Sequence, residues 1–269
     1  RSSQTVNLTG DVSVTGEITV SGNRTTLTIN INSTNSNRYI RRASGNDNEF
    51  LFRVENGAKL VIKGASARCR NIIDSKAQNS DTYYKGSCFR VAKATLELDY
   101  VRIQNLRPQD NGNVLAIWAG NNGNNTDENI LTITNTTFAD CGTDINPGSG
   151  HYKSGSTLWT DASSITTLTM RNDSILRCSA SNGYGGVLSN GGDWSSCQMT
   201  MTNCYAEGNY SSGWGGVILW SAGDNNPGHG TYVSGATITN CTFKNNHARY
   251  LGGAISAEGT VKMKNNNFI

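Results

Sequence analysis

A chain of 269 residues is long enough for one large domain or two ordinary ones. Its apolar fraction of 36%, with 30 Gly and only 3 Pro, lies below the ~45–50% of typical globular domains and argues against a thick, multilayered core. The net charge of +3 conceals an asymmetry: residues 1–107 carry sixteen Lys/Arg against nine Asp/Glu, and residues 108–269 carry seven against eleven.

Residues 1–26 keep the apolar/polar alternation of strands (Val6, Leu8, Val12, Val14, Ile18, Val20) and are expected to form an opening coil. No window holds the i, i+3, i+4, i+7 stripe of an amphipathic helix, and no apolar run approaches the ~18 residues of a membrane span. The chain therefore reads as all-β. Arg1-Ser2-Ser3 runs straight into the alternation, without a signal-peptide pattern, as expected of a mature or excised segment.

From residue 27 onward a repeat emerges. Its first inward residue is Leu27, Leu60, Leu96, Leu131, Leu168, Met199, Ala236 and Val261 in successive units. Two residues later stands Ile29, Ile62, Leu98, Ile133, Met170, Met201, Ile238 or Met263, the period-2 signature of one strand face. Four residues after the start, Asn135, Asn172, Asn203, Asn240 and Asn265 form a column. Asn accepts the left-handed conformation that a sharp corner needs, and stacked amides can bond along the column. Seven after the start comes an apolar or aromatic column: Ile103, Phe138, Ile175, Ala206, Phe243 and Phe268. A second strand is expected at Asn113–Ala116, Gly185–Leu188, Gly215–Ile218 and Gly252–Ile255, entered through paired glycines.

Short strands that cannot bury their own apolar face must stack on their neighbours. The expected fold is a right-handed parallel β-helix of about eight coils in a single domain. A β-propeller fits less well, because it needs hairpin-linked antiparallel strands. The pattern stops halfway through a unit at Asn267-Phe268-Ile269, which predicts further coils in a longer native chain or end-to-end contacts at that edge.

Phe243-Lys-Asn-Asn246 reads FxxN and Gly252-Gly-Ala-Ile255 reads GGAI. The pair resembles the repeat signature of the chlamydial polymorphic membrane proteins and similar β-helical surface proteins. That resemblance covers roughly residues 95–269. It implies a passenger segment of a secreted or surface-attached adhesin, without the family's outer-membrane barrel.

Seven cysteines include no CxxC, and with three histidines they match no zinc pattern. Cys204 with Cys241, and Cys141 with Cys178, fall in register on neighbouring coils, where a ~4.8 Å rise lies inside the Cα range of a disulfide. Cys69 and Cys88 are the third candidate pair, and buried free thiols are the alternative. Disulfides would favour an extracellular setting. Eight sequons (Asn7, Asn23, Asn32, Asn124, Asn135, Asn172, Asn209, Asn240) are about what chance gives in so Asn- and Thr-rich a chain. Those in the corner column are expected to collide with packing.

Many β-helices cleave polysaccharides. Asn125-Thr-Asp127 and Gly228-His-Gly230 match two polygalacturonase motifs, but the paired aspartates between them and the basic motif after them are missing. The acidic residues Asp140, Asp161, Asp193 and Asp224 are scattered singly, which speaks against a lyase calcium site. No catalytic residue, metal or cofactor is therefore expected. Thr-x-Thr pairs on the first strand hint at an ice-binding array, interrupted by Glu97, Asp99, Arg171, Lys262 and Lys264.

Binding surface remains. Trp118, Trp159 and Trp220 fall on or just after the second strand, and Trp194 and Trp214 in adjacent loops; they either seal loops onto the coil or present a platform for sugars. Longer loops at 107–113, 120–129, 142–156 and 221–234 flank them. Arg38, Arg41 and Arg42 beside Tyr39 could meet an anionic glycan or membrane surface, and no nucleic-acid-binding motif is present. The reading is a non-catalytic extracellular protein that binds a glycan or host surface molecule. A β-helical lyase or hydrolase and a structural filament are the alternatives.

Overall fold

The computed structural model describes residues 2–31, 36–43, 50–76, 86–106, 116–120, 127–142, 157–160, 165–180, 186–190, 196–221 and 234–269. Among them every strand pairing is parallel, apart from one isolated antiparallel bridge between Ser66 and Cys69, and there is no helix. The fold is a β-solenoid with three long sheets. The first has nine strands, from Ser3–Leu8 to Thr260–Lys264. The second also has nine, from Val12–Val14 to Asn267–Phe268, and the third has eight, from Ile18–Ser21 to Ile255–Ala257. The third sheet has one strand fewer because the last coil contributes only Thr260–Lys264 and Asn267–Phe268; at the other end Ser3–Leu8 pairs residue for residue with Thr26–Ile31, so the residues before Thr26 form a coil of their own.

Register follows the hydrophobic columns. Leu96 stands beside Leu60 and Leu131, and Leu168 beside Leu131 and Met199, with Leu98, Ile133, Met170 and Met201 two residues on. A one-residue slip would turn each of these side chains to solvent. On the second sheet the inward column runs Ile40, Ile73, Ile103, Phe138, Ile175, Ala206, Phe243, Phe268. The rings of Phe243 and Phe268 stack at 5.1 Å, and on the third sheet Phe52 and Phe89 stack at 5.3 Å. Burying each such ring stabilises the coil by about 1.5–3 kcal/mol.

Corners are built from left-handed residues. The first corner is Tyr100, Asn135, Asn172, Asn203, Asn240 and Asn265, with φ between 51° and 57°. The second is Asn105, Asp140, Arg177, Gly208 and Asn245. The first-corner amides bond up the stack, Asn172 Nδ2 donating to Asn135 Oδ1 at 3.2 Å and Asn203 Nδ2 to Asn172 Oδ1 at 3.4 Å. This ladder lies on the outside: Asn172, Asn203, Asn240 and Asn265 are exposed. The expected collision of a glycan with core packing at Asn172 and Asn240 is thus corrected. The sequon that burial does close is Asn209, only 1% exposed.

The paired glycines form the third corner and do not belong to the strand itself, which corrects the expected boundary. Gly215 and Gly252 have φ of 64° and 67°, and the strands begin later, at Ile218–Trp220 and Ile255–Ala257. A Cβ on Gly216 would lie 1.9 Å from the carbonyl oxygen of Gly253 on the next coil. Here two backbones meet with no room for a side chain. In the unit that starts at Leu96 likewise the strand is Ile117–Gly120, downstream of Asn113–Ala116.

All seven cysteines are buried free thiols, so the three candidate disulfides are corrected. Cys204 and Cys241 do face each other on adjacent coils, the N–H of Cys204 donating to Cys241 Sγ at 3.4 Å. In-register parallel residues, however, carry Cβ atoms as far apart as their strands, ~4.8 Å, beyond the ~3.5–4.5 Å a disulfide spans. Each thiol instead turns back to a carbonyl two residues earlier. Cys141 bonds Ala139, Cys178 bonds Leu176, Cys204 bonds Thr202 and Cys241 bonds Thr239, at 3.3–3.6 Å. Cys69 sits in the tight turn from Ser66, and Cys88 lies in the strand Ser87–Ala92, where burial pushes its thiol up to about 12.

Candidate binding face

The third sheet points one side chain per coil away from the core. Arg53, Arg90, Trp118, Trp159, Ser189, Leu219 and Ser256 form that column in register, with Ser189 itself buried. Trp118 and Trp159 are direct neighbours within it. A Cβ on Gly120 would meet the Trp118 ring at 2.3 Å, so the indole reaches over this glycine two residues on in the same strand. The Arg90 guanidinium carbon is 5.1 Å from the indole centroid, and the Phe50 ring lies 6.4 Å away, tilted by 47°. Arg53, at the lower end, is held by Glu17 through bonds of 2.5 and 3.1 Å. The result is an aromatic pair with a cation beside it, the combination that grips the apolar face of a sugar and a polar substituent together.

The other tryptophans part company. Trp220 is 1% exposed in the core, with its Nε1 unpartnered, and presents no platform. Trp214 is half-buried in the turn before Ile218–Trp220, its ring 6.2 Å from that of Tyr250. Trp194 lies outside the described residues. Sequence spacing alone put five tryptophans on one side because it could not tell the inward from the outward residue of a three-residue strand.

Three described carboxylates, Asp127, Asp140 and Glu207, are paired with cations. Asp127, 2% exposed, receives Lys93 Nζ at 3.1 Å, while Asn125 and His229 of the two hydrolase-like motifs lie outside the described residues. Asp140 is bridged by both nitrogens of Arg177 at 2.8 Å. Glu207 takes Lys244 at 3.0 Å and the Tyr205 hydroxyl at 2.8 Å, which together hold its carboxyl below the usual range. Among the described residues no three His, Cys, Asp or Glu gather to hold a metal.

One polar feature escaped the sequence reading. Inside the second corner, Cys141, Cys178, Asn209 and Asn246 form a column, the fourth positions of the FxxN-like motifs. Asn209 Oδ1 accepts the N–H of Cys178 at 2.9 Å, and its Nδ2 donates to Ile175 O. Asn246 repeats this one coil on, towards Asn209 N and Ala206 O. The legible signal was the Asn three residues after Ala206. The degenerate Phe position hid it.

Neither the scan of family models nor the search of curated proteins returned a match to this chain.

Proposed function

We propose that the solenoid is a non-catalytic, adhesin-like segment of a secreted or cell-surface protein, binding a glycan or host surface molecule through the outer face of its third sheet. The observation that carries this reading is the in-register pair Trp118–Trp159, with the first indole reaching over Gly120 and Arg90 beside it. The pairing of Asp127, Asp140 and Glu207 with cations supports a scaffold role for those carboxylates. With the thiols unpaired, the extracellular placement draws its support from the FxxN and GGAI motifs at Phe243–Asn246 and Gly252–Ile255.

A glycan array with the wild type and a Trp118→Ala/Trp159→Ala variant tests the site. Loss of about tenfold or more in affinity for the bound glycans is expected, since each stacked ring contributes ~1 kcal/mol or more. A reducing-end assay on the same glycans should show no cleavage. Cleavage abolished by one Asp→Asn change would replace this reading with a β-helical lyase or hydrolase.

A further inference from the structure

The second sheet carries its own charged face, on a different sheet from the tryptophans. Its outer column begins Tyr39, Ile72, Arg102 on successive coils. Arg38 opens the strand Arg38–Arg42, and its N–H donates to Arg70 O, so Arg38 and Arg70 also belong to neighbouring coils. Arg68 is exposed in the turn just before. Ile72, although it points outward, is only 4% exposed.

Four of these arginines stand without acids. Asp11 is taken by Arg41 at 3.2 Å and by the N–H of Tyr39. Asp74 accepts Gln104, Asn105 and the N–H of Lys76, and Asp99 accepts Asn135. Asp173 is buried behind the corner with both oxygens on backbone N–H groups. Among the described residues Arg38, Arg68, Arg70 and Arg102 make no ion pair with any carboxylate. Arg70 and Arg102 are close enough to repel: burial first, and then Arg102, draw Arg70 below the usual arginine range. Like charges held together by a rigid scaffold cost stability unless something neutralises them, and among the described residues the acid that favours the charged Arg70 is the buried Asp173, which forms no ion pair with it.

We propose that this face is a second binding site, for a sulfated polysaccharide laid along the solenoid axis, with Arg38, Arg68 and Arg102 as the anion-binding groups and Arg70 adding its charge while bonded to the backbone behind them. The guanidinium fork matches an oxyanion bidentately. Coils repeating every ~4.8 Å present these forks in steps comparable to the rise of a sugar chain. Single-stranded nucleic acid is the weaker fit, because it needs open aromatic platforms. Tyr39, the aromatic residue in this part of the column, is already covered by the Arg41 guanidinium at 3.9 Å.

The test compares the wild type, an Arg38→Glu/Arg68→Glu/Arg102→Glu variant and the Trp118→Ala/Trp159→Ala variant on heparin. Neutral dextran, poly(dT) and phosphatidylserine vesicles serve as controls at equal salt. Arg70 is left intact because its Nη1 ties together the carbonyls of Val101 and Asn135, and an unchanged thermal transition confirms that the variant is folded. Expected are salt-dependent heparin binding, a loss of about tenfold or more in the arginine variant, no loss in the tryptophan variant and no binding to dextran. Heparin affinity retained by the folded arginine variant overturns the proposal. So does tighter binding of poly(dT) or vesicles than of heparin. Heparin binding lost only in the tryptophan variant overturns it too, and leaves the third-sheet site standing.

Discussion

Asp173 reaches across one coil: its Oδ1 accepts the backbone N–H of Thr136 at 2.7 Å, while Oδ2 turns back to the N–H of Arg171 at 2.9 Å. Asn266 occupies the same inner position three coils on. Its Oδ1 likewise accepts the N–H of Cys241, but its Nδ2 donates to Ile238 O. An amide satisfies one donor and one acceptor of the preceding coil, and a carboxylate satisfies only the donor.

Burial therefore raises the Asp173 carboxyl to about 8, despite two backbone N–H bonds that favour the ionised form. A carboxyl raised in the folded state contributes stability that is complete below its unfolded pKa, ~4, and is lost as pH rises through the folded value. Asp173→Asn should adopt the geometry of Asn266 and remove this dependence. Urea unfolding should show the variant gaining on the wild type between pH 5 and 8 by an amount on the order of a few kcal/mol. A gap that does not widen with pH would refute the assignment.

The two asparagine columns should respond differently to mutation. Asn203 is exposed at φ 55°, so Asn203→Gly keeps the left-handed corner and is expected to change stability by no more than about 0.5 kcal/mol. Asn209 is buried and holds Cys178 N, Ile175 O and Asn246 Oδ1. Asn209→Ala removes the side-chain partner of Cys178 N and Ile175 O and should cost about 2–4 kcal/mol in chemical denaturation.

The contrast between these columns shows what the sequence made legible. Leu96, Leu131 and Leu168 declared register, because an apolar residue at period two has only one face on which to be buried. Asn135, Asn172 and Asn203 declared a corner, because few residues other than Gly accept positive φ readily. Neither cue tells inside from outside at a corner, and so the exposed ladder was expected to be packed and Asn209 passed unnoticed. Trp220 and Trp118 fell to the same ambiguity. In strands as short as Ile218–Trp220, one residue of uncertainty at the glycine corner reverses which ring meets solvent.

The thiols offer a chemical check. With all seven buried and unpaired, a thiol reagent should label the native protein slowly and reach seven equivalents once it is unfolded without reductant. Cys88 and Cys197, pushed up to about 12 by burial, should be among the slowest, since only the thiolate attacks. Fewer than seven equivalents from unfolded protein would restore a disulfide.

Glycine marks where coils touch. A Cβ on Gly216 would sit 1.9 Å from Gly253 O and 2.8 Å from His247 O, both backbone atoms of the next coil. Backbone cannot swing aside as a side chain can, so Gly216→Ala should force neighbouring coils apart. It is expected to cost about 3 kcal/mol or more. Gly16 has nothing within 4 Å of its added Cβ, and Gly16→Ala should be neutral or stabilising by a few tenths of a kcal/mol through the unfolded state. Thermal melts of the two variants separate the explanations. If glycine at 216 serves only chain flexibility, both substitutions raise the transition. If it serves close approach, Gly216→Ala alone lowers it, and hydrogen exchange should quicken at the Gly215 and Gly216 amides, which donate to Leu251 and Gly252 across that contact.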